Sequence, residues 1–174
     1  MTGIHRIRGG YVKKLLVVSC AVLSMVGVVI AERSAAAEIP LADRDARGGG
    51  EIAECIAAGS TVPNDAIVDR LPVSRPDTPQ TEFQLECGPP EIVGARHIHA
   101  GHPINSVLSF QACYQAALLR GQRIPQQYSS LYSYQTLGGP IVEVATDDFS
   151  PFILTAYTKG PNSADWENCA AHAR

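Results

Sequence analysis

Six prolines, Pro63, Pro72, Pro76, Pro79, Pro89 and Pro90, fall within the 31 residues from Ser60 to Pro90. Each lacks an amide donor and fixes its own φ, so neither a long helix nor a central strand can run through this stretch. The span is predicted to be an extended arm tied down near Cys55 and Cys87. Regular structure must then come from its two sides. Before it, EIAECIAA (Glu51–Ala58) is predicted to be a short helix stopped by Gly59. Before that, residues 38–50 end in Gly48-Gly49-Gly50 and have the composition of a flexible linker.

After the arm, order is expected from Glu91 onward. Asn105 or Ser106 can cap a helix running to about Arg120, in which Val107, Phe110, Tyr114, Ala117 and Leu118 recur at helical spacing. Gly121 ends it. The period then becomes strand-like. LYSYQTL (Leu131–Leu137) alternates, Gly138-Gly139 is a tight-turn signal, and PIVEVA (Pro140–Ala145) follows. A second turn at Asp147–Pro151 leads into FILTAYT (Phe152–Thr158), in which period-2 alternation puts Thr155 and Tyr157 on one face. The expected fold class is α+β, with N-terminal helices packed on a small antiparallel meander and disulfide support. The division is residues 1–37, 38–50 as linker, 51–90 as short helix and Pro-rich arm, and 91–174 as the α+β domain.

Residues 1–37 carry export signals. Arg6, Arg8, Lys13 and Lys14 precede the apolar run LLVVSCAVLSMVGVVIA, and Ala35-Ala36-Ala37 supplies the small residues of a cleavage site. This is the pattern of a signal peptide, with a retained membrane anchor as the alternative because the run approaches the length of a spanning helix. Cleavage leaves a secreted or cell-envelope protein with no stable membrane association. Five of the fourteen basic residues and one of the seventeen acids lie before Glu38, so the remainder carries nine against sixteen, a formal charge of −7. Such a balance excludes a broad, non-specific nucleic-acid binder, whose affinity rests on a basic surface. Eleven acids and four bases fall in residues 38–91, whereas residues 94–174 hold five of each. Only the second segment suits a polyanion. Cys55, Cys87, Cys113 and Cys169 form an even set in an exported chain and predict two disulfides, with three possible pairings. No CxxC pair occurs, so a zinc ribbon is excluded, and P-loop, GxSxG and dinucleotide-binding patterns are likewise missing from the sequence.

The chemistry-bearing stretch is Arg96-His97-Ile98-His99-Ala100-Gly101-His102-Pro103, three of the chain's five histidines in six residues. Imidazole titrates near neutral pH, so the cluster suits acid/base work. It has further readings. On a strand, HxH would place two imidazoles on one face as metal ligands, and HxHxGH departs from the metallo-β-lactamase pattern HxHxDH only where Gly101 replaces a ligating carboxylate. A metal-dependent hydrolase is therefore the third choice. In the remaining readings the histidines merely cap and pack a loop, or the loop contacts a partner protein and the chain is a non-catalytic exported binding or inhibitor domain.

Arg96-His97-Ile98 with His102, followed by a helix, a meander and Thr155-Ala156-Tyr157, resembles the catalytic module of the barnase/EndoU/colicin/RelE-like ribonuclease superfamily over roughly residues 92–160. Toxin-type members of that superfamily carry RHIxxxH near the start and TAY or TxY near the close. The resemblance implies a metal-independent endoribonuclease, toxin-like, that needs no cofactor, has RNA such as tRNA as substrate, and is countered by an immunity protein. It implies that His97 and His102 form the acid/base pair and that Thr155 and Tyr157 contact phosphate or base. Arg96, Lys159 and His99 become substrate-binding candidates, with Lys159 preferred as the cation because it lies two residues beyond Tyr157.

Overall fold

A computed structural model describes residues 41–173, and side chains from Gly49 onward. The signal-peptide and cleavage-site reading lies outside the described residues. Four helices and two antiparallel sheets make up the fold, an α+β architecture with two disulfides. In chain order they are α1 (Leu41–Ile56), β1 (Ile67–Pro72), β2 (Glu82–Glu86), α2 (Gly94–Gly101), α3 (Val107–Arg120), β3 (Gln122–Pro125), β4 (Ser129–Gln135), β5 (Ile141–Asp147), β6 (Ile153–Lys159) and α4 (Trp166–His172). No described helix is long and apolar enough to cross a membrane.

The four-stranded sheet is the meander β3-β4-β5-β6. Its register aligns Tyr132, Val144 and Ala156 across three strands, and all three are buried. Against this face packs α3, through Phe110, Tyr114, Ala117 and Leu118. Ser106 caps α3, its Oγ accepting from the Ser109 amide at 3.3 Å, and Gly121 closes it, as the capping and periodicity predict. The C-terminal tail also joins the core. Trp166 on α4 is buried, with its ring edge-on to Phe110 at 5.0 Å.

Two segments differ from expectation. Residues 41–50, expected as linker, belong to α1, which runs straight through the three glycines. Glycine costs a helix about 1 kcal/mol relative to alanine, but Gly49 sits against α3, where an added Cβ would come within 3.4 Å of Gln111 Oε1. Close helix approach overrides propensity. The Pro-rich arm, expected as merely extended, contains the hairpin β1-β2, with Val68, Leu71, Phe83 and Leu85 buried in the common core. Its prolines stand at the strand end or in the connections, as their missing amides require. A parallel bridge between Gln84 and Phe152 couples this hairpin to the edge of β6.

The disulfides are Cys55–Cys87, joining α1 to the residue after β2, and Cys113–Cys169, joining α3 to α4. They close separations of 32 and 56 residues, worth about 3–4 kcal/mol each in the chain-entropy account.

Candidate functional site

The histidine stretch is helical. α2 begins where Gly88 and Gly94, both at positive φ, cross so closely that a Cβ on Gly94 would lie 2.6 Å from Glu86 O and one on Gly88 would lie 1.8 Å from Val93 O. Only glycine fits this crossing, which fixes α2 at the end of β2. Ala95 and Ile98 on α2 are buried. His97 and His99, two residues apart on a helix, lie on different faces and do not share the single face that a strand would give them. Among the described residues, no group of three or more His, Cys, Asp or Glu side chains is arranged to hold a metal.

Each of the three imidazoles has its own partner. His97 Nδ1 lies 3.1 Å from Pro90 O. A carbonyl only accepts, so His97 donates from Nδ1–H and Nε2 is its free nitrogen. The His99 ring nitrogen Nδ1 accepts from the Ile104 amide at 3.0 Å, which closes the turn after α2. His102 caps α2, donating its amide to Ile98 O at 2.6 Å. Its Nδ1 lies 3.0 Å from Ser163 Oγ. Its ring lies beside that of Tyr157, with centroids 5.4 Å apart and a 32° tilt. Burial holds His102 below the ordinary imidazole range, and the nearby His97 charge pushes it further down.

The sheet supplies the other half of the site. Thr155, Tyr157 and Lys159 alternate on one face of β6, away from buried Ala156 and Thr158. Directly opposite Tyr157 on β5 stands Glu143, whose side chain is only 3% exposed although it lies on the face turned from the core. Tyr157 donates its phenol proton to Glu143 Oε2 at 2.5 Å, and Lys159 Nζ lies 2.6 Å from Glu143 Oε1. Ser133 stands opposite Glu143 on β4. Burial pushes the Glu143 carboxyl up, but the hydrogen bonds from Lys159 and Tyr157, the Lys159 charge and Ser133 together hold it below the usual carboxylate range. Tyr157 is pushed up to about 12, first by burial and then by its hydrogen bond to Glu143 and the charge there. Across this row the carboxylate is ionised and the phenol neutral.

The structure therefore sets the His102 ring beside Tyr157, with His97 near enough for its charge to be felt at His102, and carries Thr155 and Lys159 on the Tyr157 face of β6. Arg96 and His99 stand apart from it. The Arg96 guanidinium is occupied by Cys55 O at 3.1 Å in the last turn of α1, and by Asn64 Oδ1 at 2.7 Å, Ser60 Oγ at 3.3 Å and Val62 O at 2.7 Å in the loop that follows. His99 is engaged with the Ile104 amide. Glu143 and Ser163 join the site without having been singled out in the sequence. For Glu143 a signal existed, a lone charge between Val142 and Val144 in an alternating strand, which places it on the face opposite theirs. Ser163 lies in a polar turn that offers no such sign.

At the other end of β6 an open cavity of about 400 Å³ lies between Pro79–Glu82 and the β5–β6 turn. Beside it Tyr128 and Phe149 expose 64% and 81% of their surface with centroids 6.2 Å apart. Compared with protein-family models, curated proteins and solved structures, the chain matches none of them.

Proposed function

We propose that this chain is an exported, metal-independent endoribonuclease of the barnase/EndoU/colicin/RelE-like type, with a toxin-like role. The observation that carries the proposal is the seating of the His102 ring against Tyr157, whose phenol is tied to Glu143 and through it to Lys159, with the His97 charge felt at His102. RNA cleavage by its own 2′-hydroxyl needs a base, an acid and stabilisation of charge on phosphorus. His102, held below the ordinary imidazole range, is neutral at pH 7 and takes the 2′-hydroxyl proton. The 2′-oxygen attacks the adjacent phosphorus, the bond from phosphorus to O5′ breaks, and His97 delivers the proton that O5′ acquires. The Pro90 carbonyl accepts from His97 Nδ1–H, which leaves Nε2 as the nitrogen for that transfer. The products are a 2′,3′-cyclic phosphate and a free 5′-hydroxyl.

Thr155 is the hydroxyl donor to the non-bridging oxygens. Tyr157 has committed its proton to Glu143 and offers a nucleotide its ring face. Lys159, with 53% of its side chain exposed, supplies the cation while Glu143 holds it over the end of β6. The toxin-like reading brings with it an immunity protein as the partner that covers the site. A binding-domain reading draws on a different feature, the exposed Tyr128–Phe149 pair beside its cavity.

The test is incubation of the oxidised chain with tRNA and mixed RNA in EDTA, with cyclic phosphate ends as readout. His97→Ala and His102→Ala should each lower the rate by about 10²–10⁴-fold. The rate should rise with pH through the His102 pKa, which places the acidic midpoint below the ordinary value of 6.5. Inertness of the parent, or cleavage by both variants at the parent's rate, would end the proposal.

A further inference from the structure

The segment Gly160–Asp165, between β6 and α4, is built as an arm that reaches back to His102. Thr158 organises its base, donating from Oγ1 to Asn162 O at 2.9 Å and accepting from the Asp165 amide at 2.9 Å. The Thr158 amide also bonds Ser163 O at 3.1 Å. Beyond the arm, α4 is fixed at two points. Cys169 is bridged to Cys113 of α3, and Trp166 donates its Nε1–H to Pro103 O at 3.2 Å, one residue past His102. The arm's exposed tip presents Ser163 Oγ to His102 Nδ1 at 3.0 Å.

We infer that Ser163 is the positioning residue for His102: its Oγ accepts from Nδ1–H and leaves Nε2 bare for a substrate proton, and the Cys113–Cys169 bridge holds the arm in place to do so. The inference rests on the ribonuclease reading for its catalytic consequence, but not for the pairing itself. A histidine that acts as base needs one nitrogen unprotonated, and the partner of the other nitrogen decides which. His97 has a carbonyl for this purpose. His102 caps a helix that ends at Gly101, and the partner at its Nδ1 is the hydroxyl the arm brings, which takes the acceptor role in the tautomer inferred here. The titratable groups shown to face it are His97 on α2 and Tyr157 on β6, whose phenol is tied to Glu143 on β5 and through it to Lys159, while the arm's own Asp165 is engaged by Asn168 Nδ2 at 2.9 Å.

The experiment compares the full chain with Ser163→Ala, Ser163→Thr and the pair Cys113→Ala/Cys169→Ala. It reads kcat and KM on RNA together with the ¹⁵N shifts of the His102 ring across pH. For Ser163→Ala the expected result is a roughly tenfold fall in kcat with KM within about twofold, and ring shifts moved toward a tautomer mixture. Ser163→Thr, which keeps the hydroxyl, should recover the parent values to within about threefold. The cysteine pair should reproduce the Ser163→Ala shifts, and in a double-mutant cycle it should add less than about twofold once Ser163 is gone. If the cysteine pair does not fold, the two Ser163 variants decide. Unchanged ring shifts and kcat in Ser163→Ala overturn the inference. A parent chain inert on RNA, with ring shifts that still respond to Ser163→Ala, removes the ribonuclease reading and leaves the Ser163–His102 pairing standing.

Discussion

Cys55–Cys87 joins α1 to the end of β2, and Cys113–Cys169 joins α3 to α4; the two bridges are alike in chemistry and unlike in neighbourhood. Around the first, polar contacts are spent on holding the chain's own loop. Arg96 alone ties four groups of the Cys55–Asn64 segment, and no residue of the candidate site takes part. Around the second, the polar contacts converge on one imidazole, through Trp166 to Pro103 and through Ser163 to His102. One bridge anchors a scaffold, and the other anchors a site. Two residues adjacent in sequence, Arg96 and His97, fall on opposite sides of that division because a helix turns 100° per residue.

Arg96→Ala tests the division with the largest expected effect. The variant leaves the carbonyls of Cys55 and Val62 and the side chain of Asn64 without their charged donor, which should cost about 2–3 kcal/mol of stability. Thermal unfolding should show a fall of several degrees, while cleavage per folded molecule at low temperature stays within about twofold of the parent. The ribonuclease resemblance implies the reverse for this position, a substrate contact. Loss of cleavage with the melting temperature unmoved would transfer Arg96 to the site and dissolve the contrast.

Glu143→Gln probes the other side. The amide keeps an acceptor for the Tyr157 phenol but gives up the charge that holds Lys159. The expected fall in kcat/KM is about tenfold, equivalent to about 1.4 kcal/mol. Without the carboxylate charge Tyr157 should also titrate below its present value of about 12, as an ultraviolet pH titration would record. If cleavage holds at the parent rate while Tyr157 titrates lower, the row across β4, β5 and β6 is structure alone.

What could be read from the sequence follows the range of the interactions. α3 was legible because its cap, periodic stripe and terminal glycine all lie within sixteen residues, Ser106–Gly121. The meander was legible because alternation and the Gly138-Gly139 turn are local as well. α1 was not, since three successive glycines disfavour a helix locally and Gly49 is seated against Gln111 of a helix about sixty residues away. The hairpin β1-β2 hid among prolines, although Glu82-Phe83-Gln84-Leu85-Glu86 alternates, because five residues are a weak signal beside six breakers. In the site, His97, His102 and Tyr157 stand out by residue type. Glu143 depends on which residue of β5 meets Tyr157, and Ser163 on where a turn comes to rest; both are questions of long-range register that no single stretch contains.

His99 carries the smallest effect and the sharpest test, because it shares α2 with His97. The Ile104 amide that it accepts belongs to a residue only 5% exposed, so His99→Ala strands a donor that the fold has little water to satisfy. A loss of about 1 kcal/mol should follow, seen as a melting temperature lower by a few degrees. Because that hydrogen bond closes the turn holding His102, cleavage should fall too, but by no more than about threefold, since Trp166 still grips Pro103 and Ser163 still meets the ring. His99→Gln, whose carbonyl can accept from the same amide, should regain most of both. A substrate-contacting His99 would behave otherwise: alanine would raise KM with the melting temperature unchanged, and glutamine would rescue neither. The ratio of activity lost to stability lost, measured for three histidines within six residues, thus decides where on this short helix the scaffold ends and the site begins.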